Sequence, residues 1–263
     1  MRPPLVNILV PVTALLATFL LAAKSTSTGG APARHGTVAR RLPPRSPPPC
    51  PTDMEGIDGK FCIDRFEAST VEIRGDGSTV AHSPFLPVTA LRVRAVSKKS
   101  VYPQAYISRN EAEAACKEAN KRLCTNEEWV TACKGPAGTT YPYGNERKGG
   151  FCVDTNRTAP LSTLFAGLGA ARFQLAPMND PRLNQVPGTV APTGSFSRCT
   201  NGFHVFDMVG NVHEWTSDPA GTFRGGYYLD TRINGEGCNY RTVAHPATYH
   251  DYSTGFRCCS DTR

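Results

Sequence analysis

Apolar and polar residues alternate near the start of the first structured stretch of the chain. Residues 60–67 read Lys-Phe-Cys-Ile-Asp-Arg-Phe-Glu, and such alternation is typical of a strand with one buried face. We therefore expect a strand here and a folded body that begins near Cys50.

The clearest helical pattern opens at Ser108. Its hydroxyl can cap the first turn, and Glu111, three positions later, completes a capping box. Small apolar residues then recur at helical spacing, which predicts a helix that packs closely on its neighbours. This stripe comprises Ala112, Ala115, Cys116 and Ala119.

A second helix is predicted to start at Thr125. Glu128 again follows the cap by three positions, Trp129 supplies an apolar face, and Gly135-Pro136 ends the pattern. Most of the remaining body consists of turn sequences, and residues 156–185 predict only a loop. The pattern indicates one α+β domain with much irregular backbone over residues 50–263.

The N-terminus has the pattern of a targeting segment. Arg2 precedes an apolar run over residues 5–23, and polar residues follow at once. A run of this length fits a cleaved signal peptide or an uncleaved membrane anchor over residues 1–23. We expect an exported protein (secreted, periplasmic or cell-envelope), attached to a membrane only if this segment is retained.

Residues 24–49 predict a disordered linker that is rich in proline and arginine. The first 49 residues hold six basic and no acidic side chains, whereas the rest has 23 basic and 22 acidic ones. The net charge of +7 therefore comes almost entirely from the N-terminus. A nearly neutral body argues against nucleic-acid binding, which needs a basic face.

Ten cysteines in a chain with an export segment indicate disulfides. Their even number requires no free thiol. Position along the chain suggests the pairs Cys50–Cys62 and Cys152–Cys199.

A turn-rich segment over residues 207–215 offers ligands for a hard cation. Asp207 and Glu214 lie seven positions apart around a Gly-Asn turn, and Ca²⁺ prefers carboxylate and carbonyl oxygens. The alternative is that both carboxylates accept hydrogen bonds from turn amides and neighbouring arginines.

Several separate segments together resemble the formylglycine-generating enzyme, or sulfatase-modifying factor, family. They are residues 61–67, 116–133, 141–145 and 206–215, the Arg-Gly-Gly turn at 224–226, and Gly-Phe-Arg-Cys at 255–258. The resemblance covers about residues 54–259 in the family's order. It implies a loop-rich fold related to C-type lectins.

The resemblance also implies specific bonds and ligands. It implies a Cys116–Cys258 disulfide and a bridged Cys133, whose usual partner position is Val243 here, so that Cys238 or Cys259 would replace it. It implies a calcium site, and a second site would need ligands near Asp154, Asn184 and Val186. The implied calcium ligands are the side chains of Asp207 and Glu214 and the backbone carbonyls of Gly210 and Val212.

The chain departs from the family at the copper centre. In the family's oxidases two cysteines after the Arg-Gly-Gly turn bind Cu(I), and the enzyme converts a sulfatase cysteine to formylglycine. Here Asp230 occupies the first cysteine position, Tyr227 replaces an expected serine, and Cys238 alone matches the second cysteine. Because Cu(I) is soft and a carboxylate is hard, we expect no copper centre. Cys238 remains either a structural disulfide partner or a catalytic thiol.

Three histidines are candidates for a role in packing, in a pocket or in metal binding. His213 stands where the family usually has an aromatic residue, which indicates packing or a contact at a rim. His245, His250 and Asp251 could line a pocket or bind a metal.

The function expected from these features is that of a calcium-stabilised binding or assembly protein without oxidase activity. Its partner would be an exported protein or peptide, with a sulfatase as one candidate. The alternatives are an active oxidase with a rearranged centre and, from fold analogy alone, a lectin-like glycan binder.

Overall fold

Two capping boxes fix the two longest helices within residues 50–262. The computed structural model describes residues 50–262, which lie within one compact unit, Ser46–Arg263. The predicted segments 1–23 and 24–49 lie outside the described residues. Helix α1 spans Arg109–Glu118 with Ser108 as its cap, and helix α2 spans Asn126–Lys134 with Thr125 as its cap. Both capping boxes and both helices are confirmed.

Eleven short strands form three sheets within the described part. The strands are β1 Met54–Ile57, β2 Phe61–Asp64, β3 Ala68–Ile73, β4 Thr79–Ala81, β5 Val93–Ser97, β6 Arg122–Leu123, β7 His213–Trp215, β8 Phe223–Arg224, β9 Arg241–Thr242, β10 Thr254–Phe256 and β11 Cys258–Asp261. The sheet orders are β1-β2-β11-β6, β10-β7-β8-β9 and β4-β3-β5. The strand predicted over 60–67 is present as the shorter β2.

The ends of the chain's folded part are joined by the first sheet. Strand β11 pairs antiparallel with β2 on one side and with β6 on the other. In the second sheet β10 pairs parallel with β7, which places Gly255 beside Glu214. These long-range pairings bring the turn at 207–214 and the C-terminal segment together.

Residues 156–185 differ from the prediction of an irregular loop. They contain helices α3 Pro160–Phe165 and α4 Leu175–Met178 and the 3-10 segments Ala166–Phe173 and Leu183–Gln185. Neither α3 nor α4 has a side-chain cap, so Pro160 at the start of α3 is the main local signal for a helix in this segment. Leu161 and Leu183 are buried in a core cluster, and this tertiary packing accounts for the helical turns.

Five disulfides link the described residues. They are Cys50–Cys62, Cys116–Cys258, Cys124–Cys259, Cys133–Cys238 and Cys152–Cys199. The adjacent Cys258 and Cys259 thus tie β11 to α1 and to the residue before the α2 cap. The mixed, loop-rich and disulfide-bonded fold predicted from the sequence is confirmed. No helix within residues 50–262 is long and apolar enough to cross a bilayer.

Candidate functional site

A buried acidic centre lies where the first two sheets meet. It consists of Glu67, Asp207, Glu214 and Arg257, all of them buried. The Arg257 guanidinium donates to both oxygens of Glu214, from Nε to Oε2 and from Nη2 to Oε1, each at 2.6 Å. Trp129 Nε1 also donates to Glu214 Oε2 at 2.7 Å. Glu214 therefore has an arginine partner, as one interpretation of the sequence held.

Asp207 is less completely bonded than Glu214. Its Oδ2 accepts a hydrogen bond of 2.6 Å from the Gly194 amide, whereas its Oδ1 is buried without a partner among the described residues. Burial raises the pKa of Asp207 to about 7. Burial, together with the charges of Asp207 and Glu214, raises the pKa of Glu67 well above its usual range. Three carboxylates interact with one guanidinium, and this shortage of positive charge adds to the effect of burial in favouring protonation of the centre.

Two oxygens of the predicted Ca²⁺ ligands can still accept. Asp207 Oδ1 is free, and Glu214 Oε1 accepts only one of the two hydrogen bonds that an oxygen can take. No group of three or more His, Cys, Asp or Glu side chains in residues 50–262 is arranged to hold a metal. The predicted calcium set contains only two side chains, with Gly210 and Val212 contributing backbone carbonyls, so that finding does not test it.

The residues considered for a second calcium site have other partners. Asp154 pairs with Arg147 at 2.9 Å. The Asn184 amide donates to the Tyr252 carbonyl and accepts from the Tyr228 hydroxyl. These contacts place the two side chains in different hydrogen-bond networks.

Asp230, at the predicted position of a copper ligand, stabilises a loop. Its Oδ1 accepts from the amides of Arg232 and Ile233 at 2.9 and 3.0 Å, and its Oδ2 accepts from the Tyr240 hydroxyl at 2.9 Å. The preceding turn requires glycine at 226, since φ is +70° and a Cβ would overlap the Asp230 carbonyl. The carboxylate thus holds together the loop that separates β8 from β9.

Cys238 is bonded to Cys133 and fully buried. Its amide also donates to the Thr140 carbonyl at 2.8 Å. All ten cysteines are in disulfides, so the described residues contain no free thiol. Of the two roles considered for Cys238, the structure has the disulfide. A catalytic thiol at Cys238 would require this bond to be reduced.

A cavity of ≈ 790 Å³ opens beside the loop between β8 and β9 and is lined largely by aromatic rings. We call it the aromatic cavity; its lining includes His213, Phe223, Tyr227, His245, Tyr249, Asp251 and Tyr252. The expectation that His245 and Asp251 line a pocket agrees with this placement. His250 does not line this cavity, and its Nδ1 lies 2.7 Å from Asn179 Oδ1.

His213 forms a buried part of this wall. It is 5% exposed, and its ring lies 4.4 Å from that of Phe223 and 4.9 Å from that of Tyr227. Burial lowers its pKa to about 3. Packing among aromatic rings is one of the two roles that the sequence predicted for His213, the other being a contact at a rim.

Sequence reasoning did not identify Tyr227, Tyr249 and Tyr252 as lining residues. Tyrosines are dense over residues 227–252, and this was the available signal. It could not show that their rings face one cavity, because β10 and the preceding turns bring them together only in the folded chain.

The profile of the family described as "Sulfatase-modifying factor enzyme 1-like domain" matches residues 61–262. A Bos taurus protein named "Inactive C-alpha-formylglycine-generating enzyme 2" is 30% identical over 176 residues, covering 63% of this chain and 52% of that protein. The Mus musculus "Formylglycine-generating enzyme" is 27% identical over 175 residues, covering 64% of this chain and 42% of that protein. The matched region spans about half the length of these curated relatives.

Among solved structures, that of PvdO from Pseudomonas aeruginosa matches at 15% identity and a TM-score of 0.47, covering 76% of this chain and 80% of that one. This score is too low to support a functional argument. The family profile, by contrast, covers most of the chain and agrees with the motifs in order. The chain belongs to the sulfatase-modifying factor, or formylglycine-generating enzyme, family.

Proposed function

We propose that this protein is an exported, calcium-stabilised member of the family that acts by binding and lacks copper-dependent oxidation of cysteine to formylglycine. The observation that carries the proposal is the contacts made by the residues at the two expected copper positions. Asp230 accepts three hydrogen bonds within its loop, and Cys238 is consumed in a disulfide. A Cu(I) centre needs soft thiolates, and neither position supplies one.

The relatives include proteins of both kinds by name. Some are named formylglycine-generating enzymes and others inactive C-alpha-formylglycine-generating enzyme 2. Family membership is therefore compatible with loss of the activity, and the cysteine pattern of this chain favours that loss.

Titration with Cu(I), together with oxygen consumption in the presence of a cysteine peptide, tests the missing activity. The native protein should neither bind one equivalent of Cu(I) tightly nor consume oxygen. The double variant Cys133→Ala/Asp230→Cys frees the Cys238 thiol and adds a second one, so it should bind Cu(I) more tightly than the native protein. Tight one-to-one binding with oxygen consumption by the native protein would establish the alternative, an active oxidase.

Calcium would be held by the acidic centre and would supply positive charge to it. The unpaired Oδ1 of Asp207 supports this part of the proposal. Adding Ca²⁺ to chelator-treated protein should raise the thermal unfolding temperature, and Asp207→Ala should abolish that rise. Asp76, which is exposed and hydrogen-bonded only to Ser78, provides the control variant Asp76→Ala. An equal calcium response in both variants would refute the site.

Export is supported by the five disulfides, because such bonds persist in oxidising compartments. A tagged full chain should fractionate with the exported proteins of its host, and recovery in the cytoplasm would contradict this.

The partner that we propose is an exported protein or peptide, with a sulfatase as one candidate. Calorimetry with a sulfatase-derived peptide tests it, since binding without chemical change to the peptide is expected.

A further inference from the structure

Aromatic rings line the aromatic cavity on two sides. On one side Phe223, His245 and Tyr249 form a stack, with 5.7 Å and 3.8 Å between successive ring centroids and interplanar angles of 8° and 14°. On the other side Tyr227 lies 6.0 Å from Tyr252 in an edge-to-face arrangement. Faces of electron-rich rings attract cations through their quadrupoles.

Asp251 adds a negative charge to this cavity. It is 2% exposed and lines the cavity wall. Its Oδ1 accepts from the Ser253 amide and hydroxyl, each at 2.7 Å, and its Oδ2 accepts from the Tyr249 hydroxyl at 2.5 Å. Three of its four acceptor positions are therefore already used.

The lining of the cavity contains no basic side chain that would neutralise Asp251. Neither a lysine nor an arginine is among the lining residues, and no described cationic side chain forms an ion pair with Asp251. Burial lowers the pKa of His245 and so disfavours its cationic form. The cavity thus combines aromatic rings with one carboxylate that no cationic side chain pairs.

We propose that the aromatic cavity binds a small molecule through a quaternary ammonium group. A primary ammonium carries three N–H donors and a guanidinium five, and these donors need acceptors when they leave water; the one remaining position on Asp251 and the unpartnered Nδ1 of His213 are too few for them. A quaternary ammonium has no such donors and is bound by ring faces and a nearby negative charge. The volume of ≈ 790 Å³ lies within the range of small-molecule sites and leaves room for the rest of a ligand.

This site is independent of the copper and calcium proposals. It uses neither the cysteines nor the carboxylates of the acidic centre. Its failure would therefore leave those proposals unchanged, and failure of those proposals would leave the cavity intact.

Calorimetry at pH 8 with three probes on the full chain tests the proposal. Choline should bind with a Kd below about 1 mM, the scale of weak small-ligand affinities. The neutral isostere 3,3-dimethylbutan-1-ol and the primary amine ethanolamine should each bind at least tenfold more weakly. Absence of choline binding, or binding of either comparison compound as tight as that of choline, would overturn the proposal.

Substitutions locate the binding site within the molecule. Tyr249→Leu should weaken choline binding at least tenfold, whereas Tyr249→Phe keeps the ring and should stay within threefold of the native protein. Tyr143 stacks on Tyr141 away from the cavity, and Tyr143→Leu should leave the affinity unchanged. Near-ultraviolet circular dichroism confirms that each variant is folded. Equal affinities of Tyr249→Leu and Tyr143→Leu would place the choline site elsewhere and refute the assignment.

Discussion

At the scale of residues, the ion pair between Arg257 and Glu214 shows how the buried charges of the acidic centre are stabilised. Both side chains are buried, and the guanidinium also donates to the carbonyls of Asp64 and Phe206. A buried charge is tolerated only when it is paired and hydrogen-bonded. Arg257 meets this condition for Glu214 and links the C-terminal segment to two other parts of the chain.

Removing the guanidinium should therefore destabilise the folded protein strongly. Arg257→Met leaves buried carboxylates without their cation, and the free energy of unfolding should fall by about 3–5 kcal/mol. The exposed pair Arg92–Glu118, with an N–O distance of 2.8 Å, provides the control. Arg92→Met should change stability far less because water screens that pair. Urea denaturation measures both, and equal effects would contradict the role assigned to Arg257.

His213 should make the protein sensitive to acid. Its pKa falls from 6.5 in the unfolded chain to about 3 in the folded one, so below pH 6.5 the unfolded state binds more protons. Stability is thus fully present above pH 6.5 and is lost as the pH falls toward 3.

The variant His213→Phe keeps a ring among Phe223, Tyr227 and Tyr240 and removes this titration. Between pH 7 and pH 4.5 the native protein should lose about 2 kcal/mol more than the variant does. Asp207 has a raised pKa and acts in the opposite direction, but both proteins share it and its effect cancels in the comparison. Parallel pH profiles would contradict a neutral buried His213.

At the scale of elements, local signals were sufficient for the two longest helices and insufficient for the segment between Pro160 and Met178. Ser108 and Thr125 accept from backbone amides three residues later, and each capping glutamate bonds back to the cap amide. These contacts are encoded within four residues, so the sequence predicts them. Leu161 is buried by distant parts of the chain, and no local pattern encodes that.

The disulfides act between elements and should differ in their effect on stability. Cys116–Cys258 joins residues 142 positions apart, whereas Cys50–Cys62 joins residues 12 apart. In the chain-entropy model these loops, each taken by itself, correspond to about 5 and about 3 kcal/mol. Because Cys124–Cys259 closes almost the same long loop, thermal unfolding should show the larger loss when Cys116, Cys258, Cys124 and Cys259 are all replaced by alanine, relative to Cys50→Ala/Cys62→Ala. The opposite order would mean that native-state packing outweighs loop closure here.

At the scale of the whole molecule, much of the candidate site could be predicted because its residues stand in a recognisable order. Asp207, Glu214 and the Gly-Phe-Arg-Cys segment were found from sequence, and the fold brings Glu214 and Arg257 into contact. The partner of Cys133 could not be chosen from the sequence, since Cys238 and Cys259 were both available. Pairing of Cys259 with Cys124 resolves the choice.

The chain thus retains the family's framework, and the two residues that the resemblance assigns to the copper positions, Asp230 and Cys238, have structural contacts. The bond between Cys133 and Cys238 also accounts for an exposed Val243 at the family's usual cysteine position. With Cys238 as the partner, position 243 needs no sulfur. The loss of the thiol pair and the change of disulfide partner are therefore one rearrangement.

Disulfide mapping tests this account most directly. The full chain, isolated without reductant, is alkylated after denaturation, digested and analysed by mass spectrometry. The account predicts no alkylated cysteine and a peptide pair that joins Cys133 to Cys238. Recovery of Cys238 in the alkylated form would contradict it, because a free thiol would then be present at the position where the family's copper centre requires one.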